Sequence, residues 1–185
     1  MSETFEDDSE RVAARTRAWV ERFVVGLGLC PFARAPLEAG TLEIRVCLAD
    51  DPAELLVALD TTMQAVLDHP QTIETALLVH PNCLGDFDAY NTFLDRVDAL
   101  LELRGRGGVL QVASFHPDYR FADAPADDPA NATNRSPYPM LHVIREASVT
   151  AAVESHPDIA DVPARNVALL RSMSHEKLRT FLESD

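Results

Sequence analysis

The segment "TALLVHP", Thr75 to Pro81, constrains this chain more than any other. It is an unbroken apolar run, too short for a helix and bounded by breakers, so it predicts a strand buried on both faces. Such a strand needs helices packed on each side of its sheet, which predicts an α/β fold. The neighbouring segments supply those layers. Between about Glu10 and Leu29, Val12, Trp19, Val20, Phe23, Val24 and Leu27 share one helical face, ended by Gly26, Gly28 and Pro31. "TLEIRVCLA" (Thr41 to Ala49) alternates, with Leu42, Ile44, Val46 and Leu48 on one side, predicting a half-exposed edge strand.

Asp51-Pro52 opens a helix through Leu55, Leu59, Met63 and Val66, and Asp86 opens another through Tyr90, Phe93 and Val97. Val109 to Phe115 reads as a third strand. "MLHVIREASVTAAVES", from Met140, predicts a helix, and the tail from Pro163 to Leu182 one or two more. The order α-β-α-β-α-β-loop-α-α predicts one α/β domain over residues 1–185. Its sheet should be small and mainly parallel, with three or four strands, helical crossovers and C-terminal helices. Residues 1–8 are acidic and polar and are expected to be disordered.

Charge limits the partners. Thirty acids against 16 bases give a net charge of −14, and Lys177 is the single lysine. With no basic run, neither nucleic acid nor an anionic membrane is an expected partner. The acidic start does not resemble a secretory signal, so a cytoplasmic location is expected. Cys30, Cys47 and Cys83 show no CxxC spacing and argue against a disulfide framework or a zinc ribbon. Cys30 and Cys83 are expected to be small buried fillers. Asn131 and Asn134 head acceptor-like triplets for glycosylation that read as coincidence without a signal. His69-Pro70, His156-Pro157 and His175 fall at helix ends or in loops and are expected to be solvated.

The long segment 114–139, "SFHPDYRFADAPADDPANATNRSPYP", carries no helical or strand period. Its aromatics Phe115, Tyr119, Phe121 and Tyr138 are anchors that a disordered linker would lack. It is expected to be ordered and site-forming.

Two of the predicted strands end on the same dipeptide, His80-Pro81 and His116-Pro117. If those strands are parallel neighbours, ~4.8 Å apart, both imidazoles enter one crevice at the carboxyl ends, where open sheets bind ligands. His116 and His80 are then candidate acid/base residues, with Asp128 as an orienting carboxylate. They are also candidate ligands for a divalent metal. Arg135 offers a two-pronged donor for an anion. Asn134 and Ser136 precede the helix predicted from Tyr138 to Met140, whose N-terminus would add free N–H groups, with Tyr138 and His142 in its first turn. Strand-end capping by the histidines and pairing of Arg135 with Asp127 or Asp128 are the structural alternatives.

The strings "WVERFVVGLGLCPFARAP", "ETALLVHP", "QVASFHPDYRFA", "DDPANATNRSPYPMLHVIREASV" and "VPARNVALLR" together resemble a bacterial domain-of-unknown-function family, number 1415, over about Trp19 to Arg171. The resemblance implies a stand-alone cytoplasmic domain built around the loop. It supplies no reaction, substrate or catalytic residue. The residues lead to the expectation of an enzyme acting on a small anionic metabolite, hydrolysis being favoured and a divalent metal its candidate cofactor. The alternative is a non-catalytic module that binds a metabolite, metal or cofactor and signals to a partner protein.

Overall fold

The computed structural model describes residues 2–155 and 158–183. His156 and Pro157 lie outside the described residues. One four-stranded sheet organises the chain, in the order β1-β2-β4-β3. Its strands are β1 (Leu42–Val46), β2 (Thr75–Val79), β3 (Leu110–Phe115) and β4 (Met140–Arg145). β1 and β2 are parallel, while β4 lies antiparallel to both β2 and β3. So β1, β2 and β3 all point the same way, as crossovers through helices α3 (Pro52–Asp68) and α4 (Phe87–Leu103) require.

The fourth strand corrects the sequence reading. Met140 to Arg145, expected to start a helix, is instead the strand between β2 and β3. The histidine-bearing strands are therefore not neighbours; β4 sets them roughly 10 Å apart. The physical reason is tertiary. Met140, Leu141 and Val143 are fully buried, and a slot between two sheet strands buries both faces of a short apolar run as a helix surface cannot. The helix begins only at Glu146, as α5 (Glu146–Ser155).

Period-two alternation sorts the strand residues to two cores. On one face, Ala76, Leu78, Leu110, Leu141 and Val143 meet Leu55, Leu59, Met63 and Val66 of α3 and Tyr90, Phe93 and Val97 of α4. On the other, Leu42, Leu77, Val79 and Met140 meet α1 (Ser2–Trp19), its continuation Val20–Val25, α6 (Val162–Arg171) and α7 (His175–Glu183). All five β2 residues are buried, and β1 is an edge strand, as the sequence indicated. Asp51 and Asp86 cap α3 and α4 by accepting from Ala53 N (2.8 Å) and Ala89 N (2.9 Å). Helix α1 starts at Ser2, well before the apolar period that betrays it.

Where α1 ends, the chain continues as a π-helical turn from Val20 to Val25. Its bonds run five residues back, from Gly26 N to Glu21 O (3.0 Å) and from Leu29 N to Val24 O (2.9 Å). The sequence reading places Trp19 and Val24 on one regular helical face. At 3.6 residues per turn they would diverge, and the five-residue spacing of the π turn is what brings them to one side. A glycine at 26 permits the tight exit, because a Cβ there would lie 2.2 Å from the Arg22 carbonyl oxygen.

Candidate functional site

The two strand-end histidines do meet, through a third ring. His80 and His116 follow β2 and β3 on the α4 side, and Tyr90 of α4 packs against both, with centroids 5.8 Å from His80 and 5.1 Å from His116. All three side chains are fully buried. The Tyr90 hydroxyl donates to Met140 O (2.9 Å) and accepts from Phe115 N (3.1 Å), tying the ring to the start of β4 and the end of β3. Burial pushes its hydroxyl pKa up.

Hydrogen bonds fix the ring protons. His80 Nδ1 lies 2.9 Å from Cys83 O, so that nitrogen carries the proton and Nε2 is a bare acceptor, buried without a partner among the described residues. His116 Nε2 faces Leu84 O (3.2 Å) and so donates, while its Nδ1 accepts from Asp118 N (3.0 Å). Leu84 reaches that position in the left-handed region at φ 57°, which is uncommon for a branched residue. Burial lowers both imidazole pKa values, that of His80 to about 4. With both His116 nitrogens committed, the two rings together offer one free lone pair. That does not fit a divalent ion held between them. Among the described residues, no cluster of three His, Cys, Asp or Glu side chains stands ready for a metal.

The long loop is ordered by its own polar groups. Asn131, fully buried, accepts from Phe121 N (3.0 Å) and donates to Pro125 O (2.8 Å) and Ala126 O (3.3 Å). Arg135 donates Nε to Tyr119 O (3.1 Å) and Nη2 to Ala126 O (2.8 Å). Asn134 donates to Ser114 O (3.1 Å), and Ser136 to Tyr138 O (2.6 Å). Asp128 caps the short 3-10 turn Pro129–Asn134 through Ala130 N (2.9 Å) and takes a two-pronged bond from Arg171 of α6, at 3.1 and 2.7 Å. That guanidinium and the Ala130 amide hold the Asp128 carboxyl down to about 2. Arg15 lies over the Tyr138 ring at 5.3 Å. The anion pocket expected at a helix N-terminus has no helix to form it, because β4 follows this segment.

A third histidine behaves differently. His142, read from the sequence as a helix residue, stands mid-strand in β4 opposite Leu77 and Ala113, facing the other core. Its Nε2 lies 2.7 Å from the Thr75 hydroxyl, which also lies 2.8 Å from Val143 O. A carbonyl cannot donate, so the hydroxyl proton goes to Val143 O and Nε2–H donates to Thr75. Nδ1 is left as a bare acceptor with no partner among the described residues. The ring is deep in the protein, burial lowers its pKa to about 4, and its accessible part opens on a cavity.

That cavity, about 260 Å³, was not foreseen from the sequence. Trp19 at the end of α1, with Val20 and Val24 of the π turn, forms one wall, and the segment from Cys30 into α2 (Arg34–Ala39) forms another. Leu42, Leu77 and Ile144 of the sheet floor it, with Val149 of α5 at the side. The lining is overwhelmingly apolar, and among the described residues Glu74 is its one charged member. The Trp19 indole N–H is buried without a partner among the described residues. Burial raises the Cys30 thiol pKa, so Cys30 and His142 face the cavity as neutral groups and not as a thiolate–imidazolium pair. The signal that could have exposed the cavity is "VVGLGLCPFA": Gly26 beside apolar residues that outrun a regular helical stripe.

His80 and His116 are thus brought together, Asp128, Asn134 and Arg135 stand in the loop framework, and His142 is on the opposite face. His69 and His175 are exposed. A protein-family model described as "Protein of unknown function (DUF1415)" matches residues 11–180. No curated protein and no solved structure matches the chain. Among the described residues, no helix is long and apolar enough to cross a membrane.

Proposed function

The chain belongs to that family, which carries no assigned reaction, and from the geometry we propose that it is a small-molecule-binding domain. Its ligand occupies the cavity between the π turn and the sheet. One observation carries this reading: an apolar cavity of about 260 Å³ contains an imidazole nitrogen that no described residue satisfies. Ligand sites are mostly apolar with a few placed polar groups, and π-helical turns recur at functional sites. Compared with the ~30 Å³ that a liquid water occupies, the space suits an occupant of roughly seven to nine non-hydrogen atoms.

Trp19 is the single tryptophan and lines the cavity, so its fluorescence reports occupancy. Titration with methylcyclohexane, an apolar probe of the right size, should change Trp19 emission saturably. Val149→Phe, which intrudes on the space, should weaken the response several-fold. An emission unmoved by the probe, with the protein folded by circular dichroism, would remove the support for this reading.

A second reading is favoured by the partnerless Nε2 of His80. It is hydrolysis of a small anionic metabolite at the strand ends, with His80 and His116 in acid/base roles, Asp128 orienting and Arg135 holding the anion. It carries less weight, because Tyr90 packs against both rings and both bonded prongs of Arg135 go to backbone carbonyls. Turnover of p-nitrophenyl phosphate or acetate that disappears in His80→Gln would raise it above the first.

A further inference from the structure

Resting on the cavity reading above, we infer that the ligand is a neutral, largely apolar alcohol or phenol whose hydroxyl donates to His142 Nδ1. The small anionic metabolite suggested by the sequence is excluded from this cavity. Three groups form a relay that sets the direction of bonding. Val143 O is a strand carbonyl and accepts; the Thr75 hydroxyl donates to it; Thr75 then has only a lone pair to offer, and His142 Nε2–H donates to that. The chain of bonds holds one tautomer, and the nitrogen facing the cavity is obliged to accept. At His142 the site therefore discriminates by direction: it rewards a donor and leaves a pure acceptor facing another acceptor, while the unpartnered Trp19 indole N–H has no accessible surface to offer an occupant.

Charge selects in the same sense. Glu74 is the one charged residue of the lining among the described residues, and no described arginine or lysine joins it. Arg135 lies elsewhere, bonded to the carbonyls of Tyr119 and Ala126. A carboxylate or phosphate entering the cavity would lose its hydration and gain no cation in return. A cationic imidazolium at position 142 would change this, yet burial keeps the ring neutral until well below neutral pH. The remaining walls, Trp19, Val20, Leu77, Phe115 and Ile144, offer hydrocarbon and aromatic surface to the ligand body.

Four probes of one shape isolate these claims: methylcyclohexane, cyclohexanol, cyclohexanone and cyclohexanecarboxylate, each followed by Trp19 fluorescence at neutral pH. Cyclohexanol should bind roughly tenfold more tightly than cyclohexanone, the difference one buried hydrogen bond makes, and the carboxylate more weakly still. Thr75→Val keeps the side-chain shape but removes the relay, so the ring is free to present Nδ1–H. The preference for alcohol over ketone should then fall to within about twofold. Thr75→Ser restores the hydroxyl and should restore the preference. Equal or tighter binding of the ketone or carboxylate by the unaltered protein, with methylcyclohexane also bound, would overturn this inference and leave the cavity reading standing. If none of the four, methylcyclohexane included, alters Trp19 emission, both fall.

Discussion

The two faces of the sheet hold buried imidazoles in opposite conditions. On the α4 side, His80 and His116 are sealed around Tyr90, and every polar atom of the three rings except His80 Nε2 has a protein partner. On the α1 side, His142 is anchored by one nitrogen and presents the other to a cavity. The strand ends draw the eye in the sequence because His80 and His116 stand there and the loop bearing Asp128, Asn134 and Arg135 follows. Those groups mostly hold the chain's own backbone in place. The α1 side is inconspicuous in the sequence because its walls are apolar, and it is the one with a free group facing open space. A satisfied polar network builds structure, whereas an unsatisfied atom beside empty space invites a ligand.

Substitutions can break this contrast, beginning with the largest effect. Tyr90→Ala should cost about 3–5 kcal/mol in urea unfolding, because it empties the space between two imidazoles and strands Met140 O and Phe115 N. Tyr90→Phe should cost about 1 kcal/mol. A loss from Tyr90→Ala smaller than that from Tyr90→Phe would show that the strand-end cluster is not sealed.

Acid should act next. His80 and His142 have folded pKa values lowered to about 4, against ~6.5 for a free imidazole. Between those values the unfolded chain binds protons that the folded chain refuses, so stability is full above pH ~6.5 and falls as pH drops towards 4. Each ring contributes roughly 3 kcal/mol at most to that fall. His142→Phe should flatten the pH dependence, leaving the shares of His80 and His116, and an unchanged slope would mean that the ring is not buried neutral.

Asn131→Ala should cost roughly 2–3 kcal/mol and speed amide exchange across residues 119–126, since Phe121 N, Pro125 O and Ala126 O lose their partner together. At the small end, His142→Phe should change stability at neutral pH by less than about 1 kcal/mol, because the Thr75 hydroxyl keeps Val143 O. Removing polarity from the strand-end side should thus be costly, and removing it from the cavity side should not be.

Much of the architecture was readable. The buried run of β2, the alternation of β1 and the capped helices α3 and α4 each carry a period or a punctuation that physics enforces. The shared direction of β1, β2 and β3 followed from the crossovers. What failed was local ambiguity. "MLHVIR" runs directly into α5 with no Gly or Pro at the junction, so the six-residue strand reads as part of the helix behind it. That single error moved His142 to a helix terminus and supplied Arg135 with a dipole that does not exist. The polar loop's aromatics pack as anchors: Phe87 meets Tyr119 at 5.3 Å, and Tyr119 meets Phe121 at 5.1 Å. Sequence shows which polar groups are present but not which carbonyl each one holds. The cavity was harder to read for a related reason: a π turn differs from an α turn by one residue of bonding, and only the apolar excess around Gly26 hints at it.

The most direct test is a long-range proton–nitrogen spectrum of nitrogen-15-labelled protein at neutral pH, recorded with and without cyclohexanol. His142 should appear neutral, protonated on Nε2, and its bare Nδ1 should shift saturably as the alcohol is added, while His80 and His116 stay fixed. A His142 ring protonated on Nδ1, or an alcohol response at His80 or His116 with His142 unmoved, would contradict the account.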